Sequence, residues 1–286
     1  MSLTGKVALV TGASRGLGKG IALQLGQAGS TVYITGRTLE TGDSSAPGSL
    51  RHTAAEIEAR GGKAIPLACD HNNDADVAKV FQQIEREQGR LDILVNNAYS
   101  AADLFIKNFG RPFWEFPDNT WDIVNGVGLR NHYICSTLAA RIMTKQKSGL
   151  IVNVSSAGGK TYIFNPTYGI GKAAFDRMAA DCGLELKSHN VAYISLWPGA
   201  VKTELIQLES AERKAGGGTA KPVSTETINL GANNGIFDKF LAGESTEFSG
   251  KAIVALANDP KLLEKTGKII TTKELSKEFG FTDDIA

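Results

Sequence analysis

Residues 6–25, KVALVTGASRGLGKGIALQL, carry the reading from which the rest of the chain follows. Val7–Val10 is a short, largely β-branched apolar run of the kind that forms a buried strand. The glycine-rich segment Thr11–Gly18 turns the chain, and Ile21–Leu25 places apolar residues at helical spacing. Strand, glycine turn and helix in this order can hold a pyrophosphate, because glycines let the backbone approach the anion and helix-start N–H groups point at it. The glycine spacing is Gly-x-x-x-Gly-x-Gly, set by Gly12, Gly16 and Gly18. A glycine triplet alone is a weak signal, and its place between a strand and a helix gives it weight.

Outward from this unit, strand and helix patterns alternate with short connections, which predicts right-handed βαβ units and a parallel sheet. Strands are expected near 6–11, 31–35, 64–68, 91–95, 150–155, 191–196 and 268–271. Helices are expected near 16–28, 50–60, 74–88, 120–145, 166–188 and 249–257. The fold class is therefore α/β: a Rossmann-type doubly wound parallel sheet of about seven strands with helices on both faces. One domain over 1–286 is expected, with a substrate loop and lid over about 204–250.

Bulk properties agree with a globular protein. The chain has 286 residues, 42% hydrophobic and 21% charged, with a net charge of +1. That charge gives no global attraction to nucleic acid or membrane. Three cysteines, Cys69, Cys135 and Cys182, suit a reducing compartment without disulfides, and with the four histidines they form no zinc-like spacing, so no metal is expected. No leader is expected, since Met1–Lys6 runs directly into a strand, and no apolar run approaches the ~20 residues of a membrane span. The expected location is cytoplasmic, with peripheral association at the endoplasmic reticulum compatible with the sequence.

The second strand is followed by Gly36-Arg37, and no Asp or Glu lies between Thr31 and Leu39. In a dinucleotide fold a carboxylate there binds a ribose 2′-hydroxyl, whereas Arg accommodates a 2′-phosphate. Arg37 with Arg15 could clamp a phosphate dianion, favouring NADP(H) over NAD(H). Asp70, after the third strand, could accept from an adenine amino group or cap a loop. Asn96 and Asn97, at the fourth strand's end, could bridge strands and line the cleft or simply make a turn. Ser155 and Ser156 end the fifth strand, and Tyr168 and Lys172 lie one turn apart on the next helix. Tyr-x-x-x-Lys alone is unspecific. Hydroxyls at a strand end, Tyr and Lys on the following helix and a phosphate turn upstream all converge beyond the carboxyl edge of such a sheet.

With Asn96-Asn97-Ala98 and Pro198-Gly199, this set resembles the short-chain dehydrogenase/reductase family over about residues 6–270. The segments at 32–37, 127–133 and 195–199 look closest to its dehydrogenase/reductase member 1 branch. The resemblance implies that Tyr168 is the general acid in reduction and base in oxidation, aided by Lys172, which also holds the nicotinamide ribose. A serine would orient the carbonyl. A spacing of 13 residues before the tyrosine gives Ser155, and the second serine of the pair gives Ser156. Ser156 is preferred because neighbouring strand residues face opposite ways and loop length varies easily. Cofactor contacts are implied for Gly12, Ser14, Arg15, Gly16, Leu17, Gly18, Arg37, Asp70, Asn97, Tyr168, Lys172, Pro198, Gly199, Val201 and Thr203.

Two departures stand out. Tyr99 replaces the glycine that usually follows Asn-Asn-Ala, and Gly128 stands where the family often has an Asn in a proton relay, with Asn125 and Asn131 on either side. Leu205, Ile206, Leu208, Ile236, Phe237 and Phe240, with the apolar insert 104–116 including Trp114, could line a pocket or pack the lid. Residues 214–222, with Gly216-Gly217-Gly218, are expected to be flexible. The implied activity is NADP(H)-dependent reduction of a bulky apolar ketone or aldehyde, steroid-like or xenobiotic. The alternative is a low-turnover cofactor-binding sensor or scaffold. The partners expected are a small-molecule carbonyl or alcohol and a second copy of the chain, as a homodimer or homotetramer through helices 120–145 and 166–188.

Overall fold

A computed structural model describes residues 1–42, 47–108, 110–215 and 236–283, without the side chains of residues 213, 214, 236 and 237. Seven strands form one sheet: β1 Val7–Thr11, β2 Thr31–Gly36, β3 Lys63–Ala68, β4 Ile93–Asn96, β5 Gly149–Val154, β6 Val191–Trp197 and β7 Ile269–Thr271. Their order is β3-β2-β1-β4-β5-β6-β7, with every pairing parallel. Each expected strand is present to within two residues at either end. The chain runs outward from β1 through β2 to β3, then returns to β4 on the other side of β1. The β1/β4 crevice is thus the switch point, where open α/β sheets bind ligands beyond their carboxyl ends.

Residue alternation along β1 explains the two layers. Ala8 and Val10 face a core containing Ile21 and Leu25 of α1 (Gly16–Gln27), Ile57 of α2 (Leu50–Ala59) and Ile253 of α10 (Phe248–Ala257). Val7 and Leu9 face the other, with Phe81 of α3 (Asp74–Gln88), Ala139 of α6 (Asn131–Gln146) and Ala179 of α7 (Pro166–Leu186). Burying each large aliphatic side chain contributes roughly 1.5–3 kcal/mol.

Other helices are α4 Ala102–Lys107, α5 Thr120–Asn125, α8 Glu204–Lys214, α9 Ile236–Leu241 and α11 Thr272–Phe279. The helix expected over 120–145 is not continuous. A π-helical segment, Gly126–Arg130, separates α5 from α6. Two glycines within three residues, Gly126 and Gly128, weaken the α-helix there. Helix α11 was not expected from the sequence, although Thr271 and Glu274 form a reciprocal capping box and Gly280 closes the C-terminus at φ 73°. The Gly216-Gly217-Gly218 triplet and Pro222 fall outside the described residues, as do the side chains of Ile236 and Phe237. Among the described residues no helix is long and apolar enough to cross a membrane.

Candidate active site

The glycine turn closes on contacts that exclude side chains. Gly12 has φ +70°, and a Cβ there would lie 2.7 Å from Ala98 Cα. A Cβ on Gly18 would lie 2.3 Å from the Gly12 carbonyl oxygen. Thr11 Oγ1 accepts from Asn97 N at 2.9 Å and Ala98 N at 3.0 Å, and Asn97 Nδ2 donates to Thr11 O and Gly12 O, both at 2.9 Å. Asn96 Nδ2 bridges β4 to β5 through Asn153 Oδ1 at 2.9 Å. The paired asparagines therefore do both things considered from the sequence: one ties strands together and the other shapes the cleft.

Arg15, at the N-cap position of helix α1, provides no side-chain cap for its first turn. Gly16 N donates to Glu204 Oε2 at 2.8 Å. A carboxylate thus stands in for an anion at the helix N-terminus, which supports the expectation that this turn accommodates a pyrophosphate. Glu204 was not singled out from the sequence, where only an acidic residue beside Thr203 is visible. A pyrophosphate held by the N–H groups of this turn would compete with this carboxylate. The Glu204→Gln variant keeps an acceptor oxygen but removes the charge, so NADPH affinity measured by fluorescence titration should rise about three- to tenfold. An unchanged dissociation constant would show that the carboxylate does not compete.

Residues from five strand ends meet in one groove of about 620 Å³. They are Gly12, Ser14, Arg15, Gly16, Leu17 and Gly18 of the turn, Arg37 after β2, Asp70 after β3, Asn97 after β4 and Thr203 after β6. Arg15 Nε donates to Pro47 O at 2.6 Å, and its Nη2 to Thr38 Oγ1 and Gly48 O, both at 3.3 Å. Burial holds its guanidinium below the usual arginine pKa, and nearby Arg37 adds to this while Glu204 opposes it. Arg37 is exposed at the groove rim. Asp70 lines the groove and also accepts from Asn72 N at 3.0 Å, so its carboxylate stabilises its own loop.

Adjoining the groove, Ser156, Tyr168, Lys172, Pro198, Gly199 and Val201 line a pocket of about 280 Å³. Helix α7 is started by Asn165, whose Oδ1 accepts from Thr167 N at 2.9 Å, with Pro166 at the first helical position. Tyr168 and Lys172 follow one turn apart. Ser156 Oγ lies 2.8 Å from Tyr168 Oη, whereas Ser155 Oγ donates to the Lys172 carbonyl at 3.2 Å. Lys172 Nζ donates to Val154 O at 2.9 Å. Burial lowers its ammonium to about 7, opposed by Asp176 one turn on. Asp176 Oδ1 is itself held by Ser195 Oγ at 2.6 Å and Trp197 Nε1 at 2.9 Å. Burial raises the Tyr168 phenol, while the Ser156 hydrogen bond acts the other way.

The two departures from the family pattern touch each other. A Cβ on Gly128 would sit 3.0 Å from both Cδ2 and Cε2 of Tyr99, so the ring occupies the space a side chain at 128 would need. The flanking asparagines point elsewhere. Asn125 Nδ2 reaches Thr167 O at 3.5 Å, and Asn131 Oδ1 accepts from His71 Nδ1 at 2.8 Å.

The pocket wall is mostly aromatic and aliphatic. Phe105 and Ile106 of α4, Leu205 and Ile206 of α8 and Phe240 of α9 line it together with Phe164. Leu208 does not belong to it, being 47% exposed, and Phe113 and Trp114 are 58% and 65% exposed because they sit on the outer side of the insert. Phe164 adopts φ +60°, a left-handed conformation unfavourable for a bulky residue. That conformation places its ring nearly parallel to Phe105, at 5.8 Å, and Phe240, at 6.2 Å, and edge-on to Tyr168 at 5.2 Å.

Residues 6–214 match a family model described as short chain dehydrogenase. The chain is 45% identical over 286 residues to the Mus musculus protein named dehydrogenase/reductase SDR family member 1, covering 98% of this chain and 84% of that one. It superposes with a TM-score of 0.69 on a metagenomic short-chain oxidoreductase crystallised with NADP, at 25% identity over 95% of this chain and 97% of that one. An NAD+-bound xylitol dehydrogenase shares the fold, with a TM-score of 0.75 at 21% identity over 95% of this chain and 98% of that one.

Proposed function

The chain belongs to the short-chain dehydrogenase/reductase family, and from that premise we propose that it is an NADP(H)-dependent reductase of bulky apolar ketones or aldehydes, steroid-like or xenobiotic. The observation that carries this reading is the aromatic pocket opening onto the Ser156–Tyr168 hydroxyl pair. Parallel rings of Phe105, Phe164 and Phe240 suit a flat hydrophobic body, and the hydroxyl pair suits one polar oxygen at its end.

Tyr168 gives its proton to the substrate oxygen in reduction and takes it back in oxidation. Ser156 orients that oxygen and supports charge developing on it. The ammonium of Lys172 favours the phenolate of Tyr168 and would hold the nicotinamide ribose. When bound, the nicotinamide supplies the hydride. Pro198, Gly199, Val201 and Thr203 would hold its carboxamide end, and Gly12, Ser14, Gly16, Leu17, Gly18 and Asn97 the pyrophosphate side. The absence of any carboxylate at the end of β2, together with Arg15 and Arg37 facing one groove, supports NADP(H) over NAD(H). Helix α8 would act as the lid, since its Leu205 and Ile206 close the pocket. Exposed Tyr133 on α6 and Leu184 on α7 support pairing of two copies through these helices. The three free cysteines support a reducing, cytoplasmic setting.

The test is oxidation of NADPH, with NADH in parallel, against ketosteroids, quinones, aromatic ketones and small hydrophilic aldehydes. Turnover should be fastest with NADPH and a bulky ketone. Preference for NADH would remove the phosphate clamp from the reading, and equal rates with hydrophilic carbonyls would remove the apolar substrate. Tight NADPH binding without turnover on any substrate would favour the sensor reading instead.

A further inference from the structure

Lys172 is surrounded in a way that its hydrogen bonds do not explain. Among the described residues its ammonium makes one hydrogen bond, to Val154 O, and lies 4.8 Å from the ring centroid of Phe175, 5.4 Å from Tyr99 and 5.5 Å from Tyr168. Two of these rings stand on the helix that carries Lys172. The Tyr99 ring alone comes from across the site, from the end of β4, where it borders both the cofactor groove and the substrate pocket.

Fit, not hydrogen bonding, keeps that ring in place. The Tyr99 hydroxyl is buried without a hydrogen-bond partner among the described residues. One ring edge rests on Gly128, where a Cβ would approach to 3.0 Å, and another meets Tyr168 edge-on at 6.3 Å. We propose that Tyr99 is a positioning residue for Lys172, its ring holding the ammonium in place between groove and pocket, and that Gly128 is the space that admits the ring. This rests on the reading that Lys172 works as a cation in the reaction.

The surroundings leave the ring a large share of the work. From α7, Lys172 faces Asp176, whose Oδ1 is already engaged by Ser195 and Trp197, and the Tyr168 phenol, which burial raises. From α6 it faces His132, which burial and Lys172 itself lower to about 3, so that it stays neutral. Burial also raises the Tyr99 phenol, which is therefore neutral too. A ring quadrupole facing a desolvated ammonium with few competing charges acts at its strongest.

The experiment is an NMR titration of the cofactor-free protein labelled at lysine Cε and Nζ, for wild type, Tyr99→Phe and Tyr99→Leu. Wild-type Lys172 should titrate near the value of about 7 that burial imposes. Leucine keeps bulk but removes the π face, so the midpoint should fall by about half to one and a half pH units. Phenylalanine keeps the face and should stay within a few tenths of a unit. Gly128→Ala, which displaces the ring without removing it, should move the midpoint downward by less than leucine does. A Tyr99→Leu midpoint at or above wild type, or a Tyr99→Phe midpoint that falls equally far, overturns the proposal. Because no turnover is needed, this result stands apart from the carbonyl panel. If the panel succeeds, the alkaline limb of the reduction profile should move with the same midpoint.

Discussion

Tyr168→Phe should lose about 10²- to 10⁴-fold in kcat while binding NADPH as tightly as wild type. General acid–base catalysis contributes an effect of this size, equivalent to about 3–5 kcal/mol of barrier. The substitution suits the test because it leaves the packing intact. The ring keeps its edge contacts with Phe105, Phe164 and Tyr99 at 5.9, 5.2 and 6.3 Å, so the pocket should keep its shape. Ser156 loses one partner but still accepts from Gly158 N at 3.1 Å. Lys172 keeps its bond to Val154 and the groove is untouched. Stopped-flow reduction under single-turnover conditions, with NADPH binding followed in parallel, separates chemistry from binding. A variant within tenfold of the wild-type rate would leave Tyr168 no role as proton donor.

The second large effect is a loss of stability in acid, centred below the usual histidine range. His71 is 6% exposed, donates Nδ1–H to Asn131 Oδ1 at 2.8 Å and accepts at Nε2 from Thr35 Oγ1 at 2.9 Å; burial lowers it from 6.5 to about 4. His132 is 2% exposed, donates Nε2–H to Ala98 O at 3.0 Å and stacks on Phe175 at 4.5 Å; burial, then Lys172, lowers it to about 3. Both folded values lie below the unfolded one, so the unfolded chain binds more protons once pH drops beneath about 6.5. Stability from these groups is therefore full above that pH and declines as pH falls toward the folded values. At pH 4.5 the two together cost on the order of 5 kcal/mol, against a total of roughly 5–15 kcal/mol for a typical domain. Thermal melts at pH 7 and pH 4.5 should differ by on the order of 10 °C. Replacing His71 by Asn and His132 by Gln should flatten that dependence. A wild-type melting temperature unchanged between the two pH values would contradict the linkage.

Much of the fold was legible because buried parallel strands announce themselves as short apolar runs, and Val7–Val10, Ile93–Val95 and Leu150–Val152 are all of that kind. Helix α11 escaped notice because half of its short sequence is charged and it buries only Thr272 and Leu275; its capping box was the one visible sign. The π-helical break depends on more than Gly126 and Gly128, since the ring above Gly128 arrives from another part of the chain. The two serines just beyond β5 diverge: Ser156 Oγ lies against the Tyr168 hydroxyl and Ser155 Oγ turns to the backbone of α7, a divergence in line with the reason given for preferring Ser156. The hydrogen bond between Gly16 and Glu204 spans 188 residues, and no local pattern could have announced it. The aromatic wall was half legible. Composition marked 104–116 as apolar, but only folding decides that Phe105 turns inward and Trp114 outward.

Contact between Tyr99 and Gly128 also constrains how this site can change over generations or in the laboratory. A Cβ added at 128 meets an aromatic ring, and a ring removed from 99 leaves a void over a bare glycine, so each single step passes through a worse-packed protein. The two positions thus behave as one inherited unit, and libraries that vary them separately will discard combinations that are sound only when both change together.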